Sequence, residues 1–238
     1  KAFQLMNQSM IMQQCHYHIV ENGFNGKKNI WDKDNFKYSE ENFQIDIPNY
    51  EDYAANIKRG LWRPFQLAFI LINLKSIIDK DDPSRNIVDL LWFPTGGGKT
   101  EAYLGLAAFT LVLRRLRHKG EISSAGMSVL MRYTLRLLTL DQLGRSATLI
   151  CALEIERKKD PKTLGEWPFE IGLWVGQSGT PNKIGKKGDD DQYTARSRVI
   201  NIDRTKNKPI PIDDCPWCGT QLGKSSLQDE RPAKIQGV

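Results

Sequence analysis

Phe93-Pro94-Thr95-Gly96-Gly97-Gly98-Lys99-Thr100 has the residue types of a phosphate-binding loop. Glycines let backbone N–H groups close around phosphate oxygens, and a following helix adds its partial positive N-terminal charge. In such a loop Lys99 reaches the β- and γ-phosphates and the Thr100 hydroxyl ligates Mg²⁺. These two residues are the catalytic candidates. A second constellation is Cys215-Pro216-Trp217-Cys218-Gly219-Thr220. Cys-x-x-Cys followed by Gly turns backbone amides toward two thiolates that share a tetrahedral Zn²⁺. Cys215 and Cys218 supply half of such a site, and the second pair is expected beyond Val238. Cys15, His16 and His18 could contribute only if the N-terminus folds back; Cys151 lies in an apolar helix and is expected in the core. A redox Cys-x-x-Cys is the alternative. It should open a helix after a strand, whereas here Pro209, Pro211 and two Asp residues precede it.

The elements that must hold these residues are legible as patterns. The apolar run from Ile87 to Trp92 reads as a buried strand, and the phosphate loop follows it directly. A helix is predicted from Thr100 to His118, stopped at Gly120, with Arg114, Arg115, Arg117 and His118 at the negative end of its dipole. A second strand over 127–133, a helix over 139–158 and a third strand over 170–175 follow. Strands alternating with helices imply a parallel sheet with helices on its faces. Upstream, apolar positions among Gln and Asn predict an amphipathic helix over 3–21, and Tyr50 to Arg59 reads as helical. Pro64 suits the first residue of a helix running to Asp79. Residues 22–49 read as a linker. The basic run Lys183 to Lys187 and the acidic run Asp189 to Asp191 read as a solvated loop.

The chain has 238 residues, 40% of them apolar, enough for one substantial core. Its formal net charge of +6 permits a nucleic-acid partner without requiring one. No apolar run approaches the ~18 residues that span a membrane. Four cysteines, two of them in Cys-x-x-Cys, point to a reducing compartment and a metal rather than a disulfide scaffold.

Apolar-Pro-Thr-Gly-Gly-Gly-Lys-Thr resembles motif I of superfamily 2 helicases and translocases. With it come Arg63-Pro64-Phe65-Gln66, then Arg132-Tyr133-Thr134-Leu135-Arg136-Leu137-Leu138-Thr139-Leu140, then Gly172-Leu173-Trp174-Val175-Gly176. This set is similar to the helicase subunit of the DISARM anti-phage defence system, over roughly residues 60–220. The resemblance implies an α/β fold: a RecA-like P-loop lobe with a parallel sheet over 60–182, an N-terminal helical extension over 1–59, and a zinc-ribbon-like polar insertion over 183–238. It implies ATP and Mg²⁺ as cofactors, held by Arg63, Phe65, Gln66, Thr95, Gly96, Gly97, Gly98, Lys99, Thr100 and Glu101. Gln66 would read adenine bidentately through its amide. It implies a nucleic-acid backbone contacted by Arg132, Thr134, Arg136, Thr139, Gln142, Gly176 and Thr180, residue types and backbone positions suited to phosphate oxygens.

The expected activity is ATP-dependent DNA translocation or unwinding in the bacterial cytoplasm, on single-stranded DNA or a duplex with an overhang, together with a defence-system partner subunit. The family's acidic motif II is missing, because Asp229-Glu230 does not follow an apolar strand. The second lobe is missing too. The chain therefore reads as the N-terminal part of a longer helicase that would bind nucleotide and hydrolyse it poorly alone. Two other readings stand beside this one: a non-helicase P-loop enzyme, and a nucleic-acid or partner-binding platform that uses ATP as a structural ligand.

Overall fold

The first helix, α1 (Ala2–Asn22), repeats apolar residues at one-turn spacing, and Met6, Met10, Met12, Cys15 and Ile19 are buried on one broad face. Gly23 stops it at φ 89°, a left-handed value that glycine adopts without cost, and donates its N–H to the Ile19 carbonyl. The computed structural model describes residues 1–24, 31–32, 37–38, 45–94, 96–133, 136–176, 180–187, 191–201, 212 and 214–220; for 31–32, 37–38 and 136–140 it describes the backbone alone.

After α1 come α2 (Tyr50–Asn56) and α3 (Pro64–Ile78). Asn49 caps α2 by accepting from the amides of Glu51 and Asp52. Next are α4 (Lys99–Arg117) and the long α5 (Arg136–Lys159). Two short helices complete the set, α6 (Pro161–Leu164) and α7 (Ala195–Ile200). None of the described helices is long and apolar enough to cross a membrane.

The core is made by helices. Met6 and Met10 of α1, Ile70 of α3, Leu104, Ala108, Phe109 and Val112 of α4, and Leu149 and Leu153 of α5 form one buried cluster, closed by Leu164 and Phe169. Helix α1, expected as an extension, is thus in the same core as the helix that follows the phosphate loop. Gly105 lets α4 seat the indole of Trp62: a Cβ there would lie 2.8 Å from Trp62 Cη2. The Trp62 Nε1–H donates to Asn7 Oδ1 on α1 at 2.7 Å, which ties the three segments together. Arg115, buried in α4, donates to the Pro168 carbonyl at 2.9 Å and lies over the Phe169 ring.

The expected parallel sheet is not formed. Segments 87–93, 127–133 and 170–176, expected as strands, carry no strand, and no ladder joins them. The strand pairing among the described residues is a short antiparallel one, β1 (Trp31–Asp32) with β2 (Lys37–Tyr38). The α/β, RecA-like description is therefore replaced by a helical one. The reason lies in what covers what. In a parallel sheet the helices lay their apolar faces on the strands. Here α4 and α5 turn those faces toward α1 and α3, and the apolar runs are left uncovered, with Val88 93% and Trp174 99% exposed. An apolar run supplies hydrophobicity but does not itself provide a neighbouring strand.

Candidate nucleotide site

The phosphate loop sits between the irregular segment 87–92 and the start of α4, and α3 holds it from the side. Phe93 stacks on Phe65 with ring centroids 3.8 Å apart. Gly97 N donates to the Pro94 carbonyl at 3.1 Å, which closes a tight turn. Gly96 and Gly98 have φ of 78° and 91°, the left-handed region. Gly98 is also required by close approach, since a Cβ would lie 2.7 Å from Gln66 Nε2. Thr95 lies outside the described residues.

Two side chains from the start of α3 grip this loop by its carbonyls. Arg63 Nη1 donates to the Gly97 carbonyl at 2.8 Å, and Gln66 Nε2 donates to the Gly98 carbonyl at 2.7 Å. A trans peptide is planar, with its C=O and the next N–H pointing oppositely. Fixing these two carbonyls toward α3 therefore aims the N–H groups of Gly98 and Lys99 away from α3, as an anion cradle needs. Gln66 Oε1 meanwhile accepts from Arg63 N at 2.8 Å. Gln66 is buried, and both ends of its amide are engaged within the protein.

Lys99 Nζ donates to the Phe93 carbonyl at 2.5 Å, so its ammonium bends back over the loop. Thr100 follows in the first turn of α4 and Glu101 after it. Arg63, Pro64, Phe65, Phe93, Pro94, Gly96 and Gly97 line an open cavity of about 590 Å³ beside the loop. That size lies in the range of small-ligand pockets. The residues present fit a nucleotide: glycines whose Cβ-free backbone leaves room, a lysine beside them, a helix N-terminus, and an aromatic wall. When bound, Mg²⁺ would neutralise phosphate charge, with Thr100 its ligand from this loop.

Arg145 of α5 reaches this region through Glu101. Its Nη1 lies 3.1 Å from Glu101 Oε1, and its guanidinium lies over the Tyr17 ring of α1. No motif announced this contact, because it joins positions of three helices far apart in sequence.

The candidate nucleic-acid residues are only partly gathered. Arg132 is exposed on the irregular segment 127–133. Thr134 lies outside the described residues. Arg136 and Thr139 fall in the first turns of α5, where the backbone alone is described. Gln142 donates to Asp141 Oδ2 at 3.1 Å. The Gly176 carbonyl accepts from Thr180 N at 3.4 Å. Among the described residues no hydrogen bond or ion pair joins Gly176 or Thr180 to Arg132 or Gln142.

The cysteine knuckle is docked on α1 and α5. Cys215 N donates to the Thr220 carbonyl at 2.7 Å and Gly219 N to the Cys215 carbonyl at 2.9 Å, so 215–220 closes on itself. The hydrogen bond from Cys215 pulls the Cys218 thiol down to about 5, and donating it pushes Cys215 up. The Trp217 ring stacks on His16 with centroids 3.4 Å apart, and Thr148 Oγ1 donates to the Pro216 carbonyl at 2.9 Å. His16 Nδ1 lies 2.8 Å from the Trp217 carbonyl, which can only accept, so the proton is on Nδ1 and Nε2 accepts from the Tyr50 hydroxyl at 3.0 Å. Burial lowers the His16 pKa to about 4. The N-terminus does fold back on the knuckle, but it brings a stacking histidine rather than a metal ligand. Among the described residues no group of three His, Cys, Asp or Glu side chains is placed to hold a metal.

No family model matches the chain. A protein of Bacillus paralicheniformis described as DISARM protein DrmA is 47% identical over 165 residues, a stretch that covers 67% of this chain. The chain is homologous to part of DrmA. It spans 14% of the length of that relative. The resemblance expected from the motifs is thus borne out at the level of a DISARM-related protein.

Proposed function

We propose that this chain contributes the nucleotide-binding part of an ATP-dependent DNA helicase or translocase of DISARM-type defence against phage DNA. The observation that carries the proposal is the loop itself. Gly96 and Gly98 are turned by positive φ, the Gly97 and Gly98 carbonyls are held by Arg63 and Gln66, and Lys99 lies across the loop at the start of a helix. The relationship to DISARM protein DrmA supports the defence setting. ATP would place its phosphates on the loop amides and its base against the Phe65 and Phe93 wall. Arg132 and the start of α5 would hold the DNA backbone without reading sequence. A partner subunit of the same defence system would act with it, in the bacterial cytoplasm. The Cys215 and Cys218 pair would hold Zn²⁺ with ligands supplied from elsewhere.

The test is calorimetry of Mg-ATP with the wild type and with Lys99→Ala. Losing a charge-assisted contact should weaken binding by about 1.5–3 kcal/mol. Equal affinity for the two proteins would refute the site.

A further inference from the structure

Glu101, Arg145, Asp141 and Gln142 form a continuous polar chain that runs from the phosphate loop to the start of α5. Glu101 Oε1 lies 3.1 Å from Arg145 Nη1, Arg145 Nε lies 3.9 Å from Asp141 Oδ2, and Gln142 Nε2 donates to that same Asp141 oxygen at 3.1 Å. Arg145 is thus shared between two carboxylates, one on the helix that begins at the loop and one on α5 next to Gln142. The sharing is incomplete. Glu101 Oε2, Arg145 Nε and Gln142 Oε1 are all buried without a hydrogen-bond partner. Buried polar atoms cost free energy when unpaired, so three in one chain mark a place where a second arrangement can compete with the first.

We propose that Arg145 is a positioning residue that couples nucleotide occupancy of the loop to nucleic-acid grip at the start of α5. This rests on the nucleotide and nucleic-acid reading above. The unpaired Glu101 oxygen faces the loop, 3.4 Å from where a Gly98 Cβ would stand. A triphosphate arriving there repels the Glu101 carboxylate toward Arg145. Arg145 then closes on Glu101 and leaves Asp141, and the Gln142 amide loses or regains its partner accordingly. Tyr17 supports the motion, because its ring face lies 4.7 Å under the guanidinium and accepts a cation in either position. A pair of exchangeable partners is what a two-state coupling element requires.

The experiment measures affinity for a fluorescent single-stranded oligonucleotide with and without Mg-AMP-PNP, in the wild type, Arg145→Ala, Arg145→Lys and Asp141→Asn. The wild-type affinities should differ by roughly 5–150-fold between the two conditions. Arg145→Ala should bring the ratio close to one while each ligand alone binds within about threefold of the wild type. Arg145→Lys should keep part of the ratio, and Asp141→Asn should lose it. A merely structural role would lower the melting temperature and leave the ratio alone. If Arg145→Ala does not fold, Asp141→Asn decides, because that carboxylate is half exposed and not in the core. A wild type that binds neither ligand refutes the underlying function. A wild type that binds both, with a ratio of one or with a ratio unchanged in Arg145→Ala or Asp141→Asn, refutes the coupling alone.

Discussion

Gln66 holds the Gly98 carbonyl at 2.7 Å with the same amide whose oxygen caps the start of α3. This joins the helix before the phosphate loop to the loop's last glycine, and it gives Gln66 a use that does not involve the base. Gln66→Ala should free the Gly98 peptide to rotate and weaken ATP and GTP alike, by about 0.5–1.5 kcal/mol. Parallel titrations with the two nucleotides check it. A loss confined to ATP would instead support adenine reading, which would require Gln66 to exchange both of its present bonds.

Gly105 is a point of close approach between α4 and its neighbours. A methyl group there would lie 2.8 Å from Trp62 Cη2 and 3.0 Å from Ile70 Cδ1. Gly105→Ala should therefore displace the indole and break its bond to Asn7, at a cost of about 1–3 kcal/mol from overpacking. Thermal melts report the loss, and the fluorescence of Trp62 should change in the folded state.

His16 should make stability depend on pH. Its pKa is near 6.5 in the unfolded chain and about 4 in the fold, because burial disfavours the charged ring. Between those values the unfolded state binds more protons, so stability rises with pH. The contribution is complete above about pH 6.5 and is lost as pH falls toward 4. Melting temperatures from pH 7 to 4 should fall more steeply for the wild type than for His16→Phe, which keeps the stack on Trp217 and cannot titrate. Parallel curves would contradict the assignment.

Cys215→Ser combined with Cys218→Ser should abolish zinc binding, as read by elemental analysis, and leave the Mg-ATP affinity unchanged. The nucleotide loop is held by α3 and α4, whereas the knuckle is held by α1 and α5. Retention of zinc by the double variant would place the metal elsewhere.

The helices were legible because their signals are local. Pro64 opens α3 and Gly23 closes α1, and the apolar spacing between α4's Leu104 and Val112 already marks a buried face. The loop was legible for the same reason, since its glycines and Lys99 are adjacent. The sheet was not, because pairing depends on partners that an apolar run does not name. Leu90 and Trp92 have the composition of a buried strand and stand largely exposed. The docking of Trp217 on His16 and the reach of Arg145 to Glu101 were equally unreadable. Each depends on how helices pack, and neither residue carries a motif that announces its partner.

The stack of His16 on Trp217 also sets a timetable. The two residues are 201 positions apart, so α1 leaves the ribosome long before the knuckle that covers it. At ordinary rates of synthesis the wait is roughly 10–40 s. Met6 and Met10 wait less long, since the helices that bury them, and Phe169 with them, are all made before the knuckle. Helix α1 thus keeps its His16 face open until a partner made some two hundred residues later arrives to cover it.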